Sequence, residues 1–322
     1  MRIAVTGSIA TDHLMSFPGR FSDQPAGGDL PLVVDDLSVR RGGSAANIAY
    51  GLAGLGLAPV LVGSVGTDFA GYRIRLSEHG VDTGSVHVSA HRRTARFVCL
   101  TDRDLNRIAA FYPGATVEAG DIDLARVVAR AGPFDLVLVG SDDQAAMRRH
   151  TACCRELGIP FAADPAQHLT RLPPAEARDL VDGARWLFTN GYEAALLVER
   201  TGWRLPEVLS RVGTWVTTLG SHGVRIDRDG EDPVVVPAVP VAATDPTGAG
   251  DAFRAGFLAG VGWGLPATSA AHLGCALAAT VLGTVGPQDY EVDPAALLDT
   301  VELASGAAAT DPLAGRLGAV RC

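Results

Sequence analysis

Lysine is absent from this sequence. All 27 basic residues of the 322-residue chain are arginine, so no Walker-A lysine can meet a phosphate, no lysine can form a Schiff base, and none can anchor pyridoxal phosphate. Codon usage in a GC-rich genome explains the missing lysines as well as any function does, and the exclusion holds either way. Cysteine is scarce too. Cys99, Cys153, Cys154, Cys275 and Cys322 are odd in number and fit no zinc or redox spacing, as expected of reduced thiols in a cytoplasmic protein. No apolar run reaches the roughly 20 residues of a membrane helix, and MRIAVTGS opens directly as a strand with no charged-then-apolar leader. The expected compartment is the cytoplasm. Positive charge is in deficit, with a net charge of −9, which argues against a nucleic-acid or acidic-membrane partner.

What is present is a globular composition, 47% hydrophobic and 20% charged. Residues 2–6, 59–64, 135–139, 160–163, 185–189 and 214–218 are short apolar runs, as strands buried on both faces should be. Helical patterns lie between and after them at 44–56, 69–79, 142–157, 174–182, 191–200, 248–262 and 267–282. Such alternation predicts an α/β domain with a mostly parallel sheet and helices on both faces, its ligands gathered at the carboxyl ends of the strands. Residues 32–40 and 84–101 instead alternate polar with apolar and predict a small half-exposed sheet. We expect a single domain over 1–322 with this sheet inserted as a lid, from about 12–41 and 84–113. The Ala/Gly-rich tail after 303 reads as a weak helix or as disorder.

Residues 244–257 read TDPTGAGDAFRAGF. Small residues before a helix leave its first amides open to a ligand, and the helix dipole adds attraction for negative charge. This makes an anion site without lysine. Asp251, in the first turn, could accept a proton from a substrate hydroxyl while those amides hold a phosphoryl group. Equally, a Gly-rich turn with an aspartate can simply cap a helix. Residues 41–49, RGGSAANIA, pair two glycines with Asn47, whose amide hydrogen-bonds hydroxyls in both senses; Ser44 is the expected helix cap there. Asn190 and Glu193 in TNGYE make a capping box. Asp12, read alone, is a turn residue.

These segments resemble the ribokinase-like (PfkB) family of carbohydrate and nucleoside kinases over residues 1–290. The DTxGAGD-type signature matches at 245–256 apart from Pro246, and the amino-terminal glycine-pair signature matches at 41–49. The resemblance implies a ribokinase-like three-layer αβα sandwich with a β-sheet lid. It implies Asp251 as catalytic base and the amides of Gly248, Ala249 and Gly250 as anion hole. Ser8, Asp12, Gly42, Gly43 and Asn47 would bind the substrate. Asn190, Glu193, Thr218, Gly220 and Gly223 would serve ATP, with Mg2+ on its phosphates near Asn190 and Glu193 and K+ a candidate near Asp245. Asp164 would border the site.

Several segments are similar to bacterial adenosine kinases, among them TARF, FYPGA and ADPAQHL. That similarity implies adenosine as acceptor, with Phe97 and Phe111 flanking the base and Gln167 and His168 contacting base or ribose. His168 stands where an amide is expected. Ribose or another sugar is the alternative acceptor, and a non-catalytic nucleoside or sugar binder is the alternative from outside enzymes. Arg93 and Arg96 are the candidates for gripping a phosphosugar. A homodimer through the lid is expected, because an open sheet edge with one apolar face calls for cover.

Overall fold

The computed structural model describes residues 1–24, 31–104 and 106–320. In chain order the strands are β1 (Ile3–Thr6), β2 (Ala10–Ser16), β3 (Asp36–Gly42), β4 (Val60–Val62), β5 (Ser64–Val65), β6 (His87–Val88), β7 (Ala95–Thr101), β8 (Arg107–Tyr112), β9 (Leu136–Val139), β10 (Phe161–Ala163), β11 (Trp186–Asn190), β12 (Trp215–Thr218), β13 (Val224–Asp227) and β14 (Val234–Val236). The helices are α1 (Ser44–Gly54), α2 (Ala70–Glu78), α3 (Leu124–Ala131), α4 (Gln144–Glu156), α5 (Pro174–Val181), α6 (Gly191–Thr201), α7 (Leu205–Leu209), α8 (Ala249–Gly262), α9 (Ala267–Leu282), α10 (Pro294–Ser305) and α11 (Asp311–Leu317).

Eight strands form one sheet in the order β14-β13-β12-β11-β10-β9-β1-β4. Every pair from β4 to β12 is parallel, and β13 and β14 finish the edge antiparallel. Strand alternation splits the core in two. Ile3, Val5, Leu136, Leu138 and Phe188 face α1, α8 and α9, whereas Ala4, Val137, Val139 and Leu187 face α3 to α7. The result is a three-layer αβα sandwich. From β1 the chain goes first to β4 on one side and later to β9 on the other, so the crevice at the carboxyl ends of β1 and β9 is the topological switch point where such sheets bind ligands.

On the first of these layers, three helices approach backbone to backbone. A β-carbon on Gly256 of α8 would lie 2.8 Å from Gly274 Cα of α9, one on Gly260 would lie 2.7 Å from Ala270 Cα, and one on Gly51 of α1 would lie 2.7 Å from Ala255 Cβ. Glycine is what lets α1 and α8 come close enough for their amino-terminal side chains to meet.

The lid is a four-stranded sheet, β3-β2-β7-β8, and its strands differ from the expected ones. Strand β3 begins at 36 rather than 32. Of 84–101 only 95–101 joins the lid, because His87–Val88 pairs with β5 in a separate two-stranded ribbon. Residues 25–30, within the expected lid range, lie outside the described residues. Register places Arg40, Asp12, Phe97 and Phe111 in one row across one face of the lid. The tail is folded: α10 and α11 run past 303, and Leu313 and Leu317 are fully buried. Four cysteines are free thiols, three of them buried, and Cys322 lies outside the described residues. Among the described residues no helix is long and apolar enough to cross a membrane.

Candidate active site

Helix α8 starts at the loop 244–248, where Gly248 is the N-cap at φ 82° and a β-carbon would strike Pro287. Only glycine serves such a left-handed, crowded position. No side chain caps this helix; Ala249 N donates at 3.4 Å to Pro246 O, a long bond that an anion at the first turn can replace. Asp251 sits in that turn. Its Oδ2 accepts a 2.8 Å hydrogen bond from Asn47 Nδ2 of α1. Burial pushes the Asp251 carboxyl up to about 6, Asn47 and the positive charge of Arg254 pull it down, and Asp164 and Asp12 raise it further. A carboxylate poised there is mostly ionised at neutral pH yet basic enough to take a proton.

A second group of the residues singled out in the sequence gathers around the end of β1. Ser8 N donates to Ser141 O after β9, and Ser44 N donates to Ser8 Oγ at 3.1 Å. The cap of α1 therefore comes from Ser8 while Gly43 is the N-cap residue; Ser44, expected as the cap, is the first residue of the helix. Gly43 has φ 93°, and a β-carbon there would lie 2.6 Å from Ser8 O. Gly42 leaves room for the Asp12 carboxylate, whose Oδ2 would be 2.9 Å from a β-carbon. Burial, then the charge of Asp245, pushes Asp12 up to about 6. Phe97 and Phe111 oppose each other across β7 and β8, 36% and 56% exposed. His168 Nε2 lies 3.0 Å from Ser141 Oγ, and burial lowers its proton affinity, so the ring is neutral at pH 7. Gln167 is exposed beside Ala166, which holds φ 47°, a strained value for a residue with a β-carbon. Arg96 lies on the opposite face of the lid from Asp12 and pairs with Asp68 at 3.2 Å; it is not placed to grip a phosphosugar.

Beyond Asp251, at the ends of β10 to β12, the site turns polar. Asn190 and Glu193 form a capping box at the start of α6, each bond 2.8 Å. Thr218 closes β12, and the turn after it is held by Gly220 at φ 59° and Gly223 at φ 89°. Arg254 meets Asp164 through two contacts, Nε to Oδ2 at 2.6 Å and Nη2 to Oδ1 at 2.7 Å, and its Nη1 donates to Gly250 O at 3.0 Å. Asp245 accepts from Thr247 N and Gly286 N, which ties the loop before α8 to the one after α9.

A family model described as the pfkB family carbohydrate kinase matches residues 3–293. The chain belongs to this family. A nucleoside kinase of Methanothermobacter thermautotrophicus is 32% identical over 221 residues, 68% of this chain and 70% of that one. A second nucleoside kinase, of Methanocaldococcus jannaschii, is 25% identical over 89% of this chain and 92% of its own. The structure of Burkholderia thailandensis nucleoside kinase in complex with inosine superposes with a TM-score of 0.83 at 34% identity, covering 94% of this chain and 98% of that one.

As a pfkB-family kinase the protein is a phosphotransferase with an alcohol acceptor, acting on a nucleoside or sugar, in a family that uses ATP. The fold brings the residues singled out in the sequence to one edge of the sheet, with Asn47 on Asp251, Gly42 under Asp12 and His168 on Ser141. Arg254, Ser141 and Asp142 were not anticipated. Arg254 carried a signal: it stands three residues after Asp251, hence on the same helical face, a charge on a buried stripe.

Proposed function

We propose that the protein is a purine nucleoside kinase that transfers the γ-phosphate of ATP to the 5′-hydroxyl of adenosine, yielding AMP for purine salvage. The observation that carries this is the lid row: a carboxylate able to grip two ribose hydroxyls, Asp12, lies in register with an opposed aromatic pair, Phe97 and Phe111, a flat apolar surface suited to a purine. The relative crystallised with inosine and the histidine at 168 support inosine as second reading.

Asp251 accepts the 5′-hydroxyl proton as the oxygen attacks the γ-phosphorus, the bond from that phosphorus to the β–γ bridging oxygen breaks and ADP departs, and the amides of Gly248, Ala249 and Gly250 take the charge on the transferred group. Asn190, Glu193, Thr218, Gly220 and Gly223 receive ATP. No group of three or more His, Cys, Asp or Glu side chains suited to a metal occurs among the described residues. Mg2+ keeps several waters and relies on one or two protein carboxylates plus substrate phosphates. Glu193, assisted by Asn190, would hold it, and bound Mg2+ neutralises phosphate charge. Burial pushes the Asp245 carboxyl up, but hydrogen bonds from Thr247 and Gly286 and the charge of Arg40 outweigh it and draw the group below the usual carboxylate range, which suits a monovalent cation such as K+. On the outer lid face, Leu37, Val39 and Ile108 are each more than half exposed, and a second copy covering them would make a homodimer; light scattering of the purified protein tests this.

The test of substrate is ADP release with ATP and Mg2+ against adenosine, inosine, guanosine, ribose, fructose and fructose 6-phosphate. Turnover on adenosine well above the rest supports the proposal. Preference for a free sugar would sink the stacking role of Phe97 and Phe111.

A further inference from the structure

Gln288 lies between α9 and α10, outside every motif singled out above, and is only 2% exposed. Its Nε2 donates to two acceptors, Asn47 Oδ1 at 2.8 Å and Tyr72 Oη at 2.5 Å. Tyr72 Oη donates to Gly42 O at 3.1 Å, and Asn47 Nδ2 donates to Asp251 Oδ2. From outside, Arg75 Nη2 donates to Gln288 O at 2.7 Å and fixes the backbone.

The polarity of this chain is forced from one end. A backbone carbonyl only accepts, so the buried Tyr72 hydroxyl spends its proton on Gly42 and is left as an acceptor. Gln288 must then turn its NH2 toward Tyr72, and the same NH2 faces Asn47. Asn47 must answer with its oxygen, which leaves its own NH2 for Asp251. Shape alone would not decide this, because the two ends of a primary amide are nearly the same size. The cost is visible: Gln288 Oε1 is buried with no partner.

We propose that Gln288 is a positioning residue for phosphoryl transfer, keeping the Asn47 amide turned so that its N–H points at Asp251 and holds that carboxylate aligned and ionised. The proposal rests on Asp251 being the base. The charged and titratable groups around Asp251 are Arg254 on its own helix, Asp164 beyond β10, Asp12 on the lid and Tyr290 after α9, and an uncharged replacement of Gln288 leaves all of them in place. Burial raises the proton affinity of Asp251 and the Asn47 donor lowers it, so losing the donor moves the acid limb of activity upward.

The experiment is the pH profile of kcat/KM for Gln288→Met and Gln288→Glu, with Tyr72→Phe and Asp251→Asn alongside. Met removes both donors without adding charge and carries the comparison; Glu sets an acceptor against Asn47 Oδ1 and turns that amide around, with its own charge adding to any upward shift. Each should displace the acid limb upward by about one pH unit, a loss of about five-fold at pH 6 that approaches ten-fold toward pH 5 and recovers above pH 8. Tyr72→Phe, which frees Gln288 to turn without emptying its place, should move the limb the same way by less, and carries the test if neither Gln288 variant folds by circular dichroism. A loss equal at every pH, or an unmoved limb, overturns the proposal. If Asp251→Asn itself retains turnover, the assignment of the base is what fails; if it abolishes turnover while the limb stays put, only the role of Gln288 fails.

Discussion

The floor of the site and its lid are built on opposite terms. In the floor, α1, α8 and α9 meet through glycine with no room for a methyl group, and Asn47, Asp251, Arg254 and Asp164 are held in place by hydrogen bonds and an ion pair. In the lid, Phe97 and Phe111 stand part-exposed on one face, and Leu37, Val39 and Ile108 on the other. Groups that carry charge through a reaction gain from being fixed beforehand, since nothing then has to reorganise in the transition state. Groups that recognise an apolar base gain by being covered only when that base arrives. Under the proposed function the lid's aromatic row waits for its substrate, whereas the side chains of Asn47, Asp251, Arg254 and Asp164 are already paired without it.

That contrast can be broken at either end. The largest effect belongs to the floor. Asp164→Ala strands a buried guanidinium and should cost about 3–5 kcal/mol, read by denaturant unfolding, with phosphoryl transfer lost in whatever folds. In the lid, Phe97→Ala with Phe111→Ala should raise KM for adenosine about ten- to hundred-fold and leave the melting temperature nearly where it was. A fall in melting temperature as large as a core substitution gives would show that the pair is packing rather than recognition.

What the sequence could and could not reveal follows the same division. Residues 136–139, LVLV, are apolar on both faces because helices cover both, and a run of that kind needs no context. Strand β2 carries Asp12 and His13, so its polarity hides a strand that only pairing with β3 and β7 creates. Strand β8 is exposed throughout and has no burial pattern to show. The tail after 303, which holds the end of α10 and all of α11, is rich in Ala and Gly, and tertiary docking of Leu313 and Leu317, not propensity, orders α11. In the site, the glycine turn and Asp251 are local in sequence and were legible. Gln288 acts on Asn47 across 241 positions, and its amide has no meaning until the fold closes that gap.

A pH-dependent effect sharpens the comparison within the floor. Asp142, beside Ser141, is pushed up to about 8 by burial, and its Oδ2 has no partner. A carboxyl whose folded proton affinity is raised stabilises the fold at low pH and loses that contribution as pH climbs from the unfolded value, near 4, to the folded one. Asp142→Asn does not titrate. Its melting temperature, equal to the parent's near pH 4, should exceed it by several degrees at pH 8, and a gap that does not widen with pH would mean that Asp142 is ionised and paired in solution.

The most direct measurement is adenosine-dependent ADP release by Asp251→Asn beside adenosine binding to the same protein by calorimetry. As general base, Asp251 should account for about a 10³-fold loss in kcat, with adenosine still bound within a few-fold of the parent's Kd. Turnover kept within ten-fold would contradict Asp251 as the base, and turnover and binding lost together would place it in substrate binding instead.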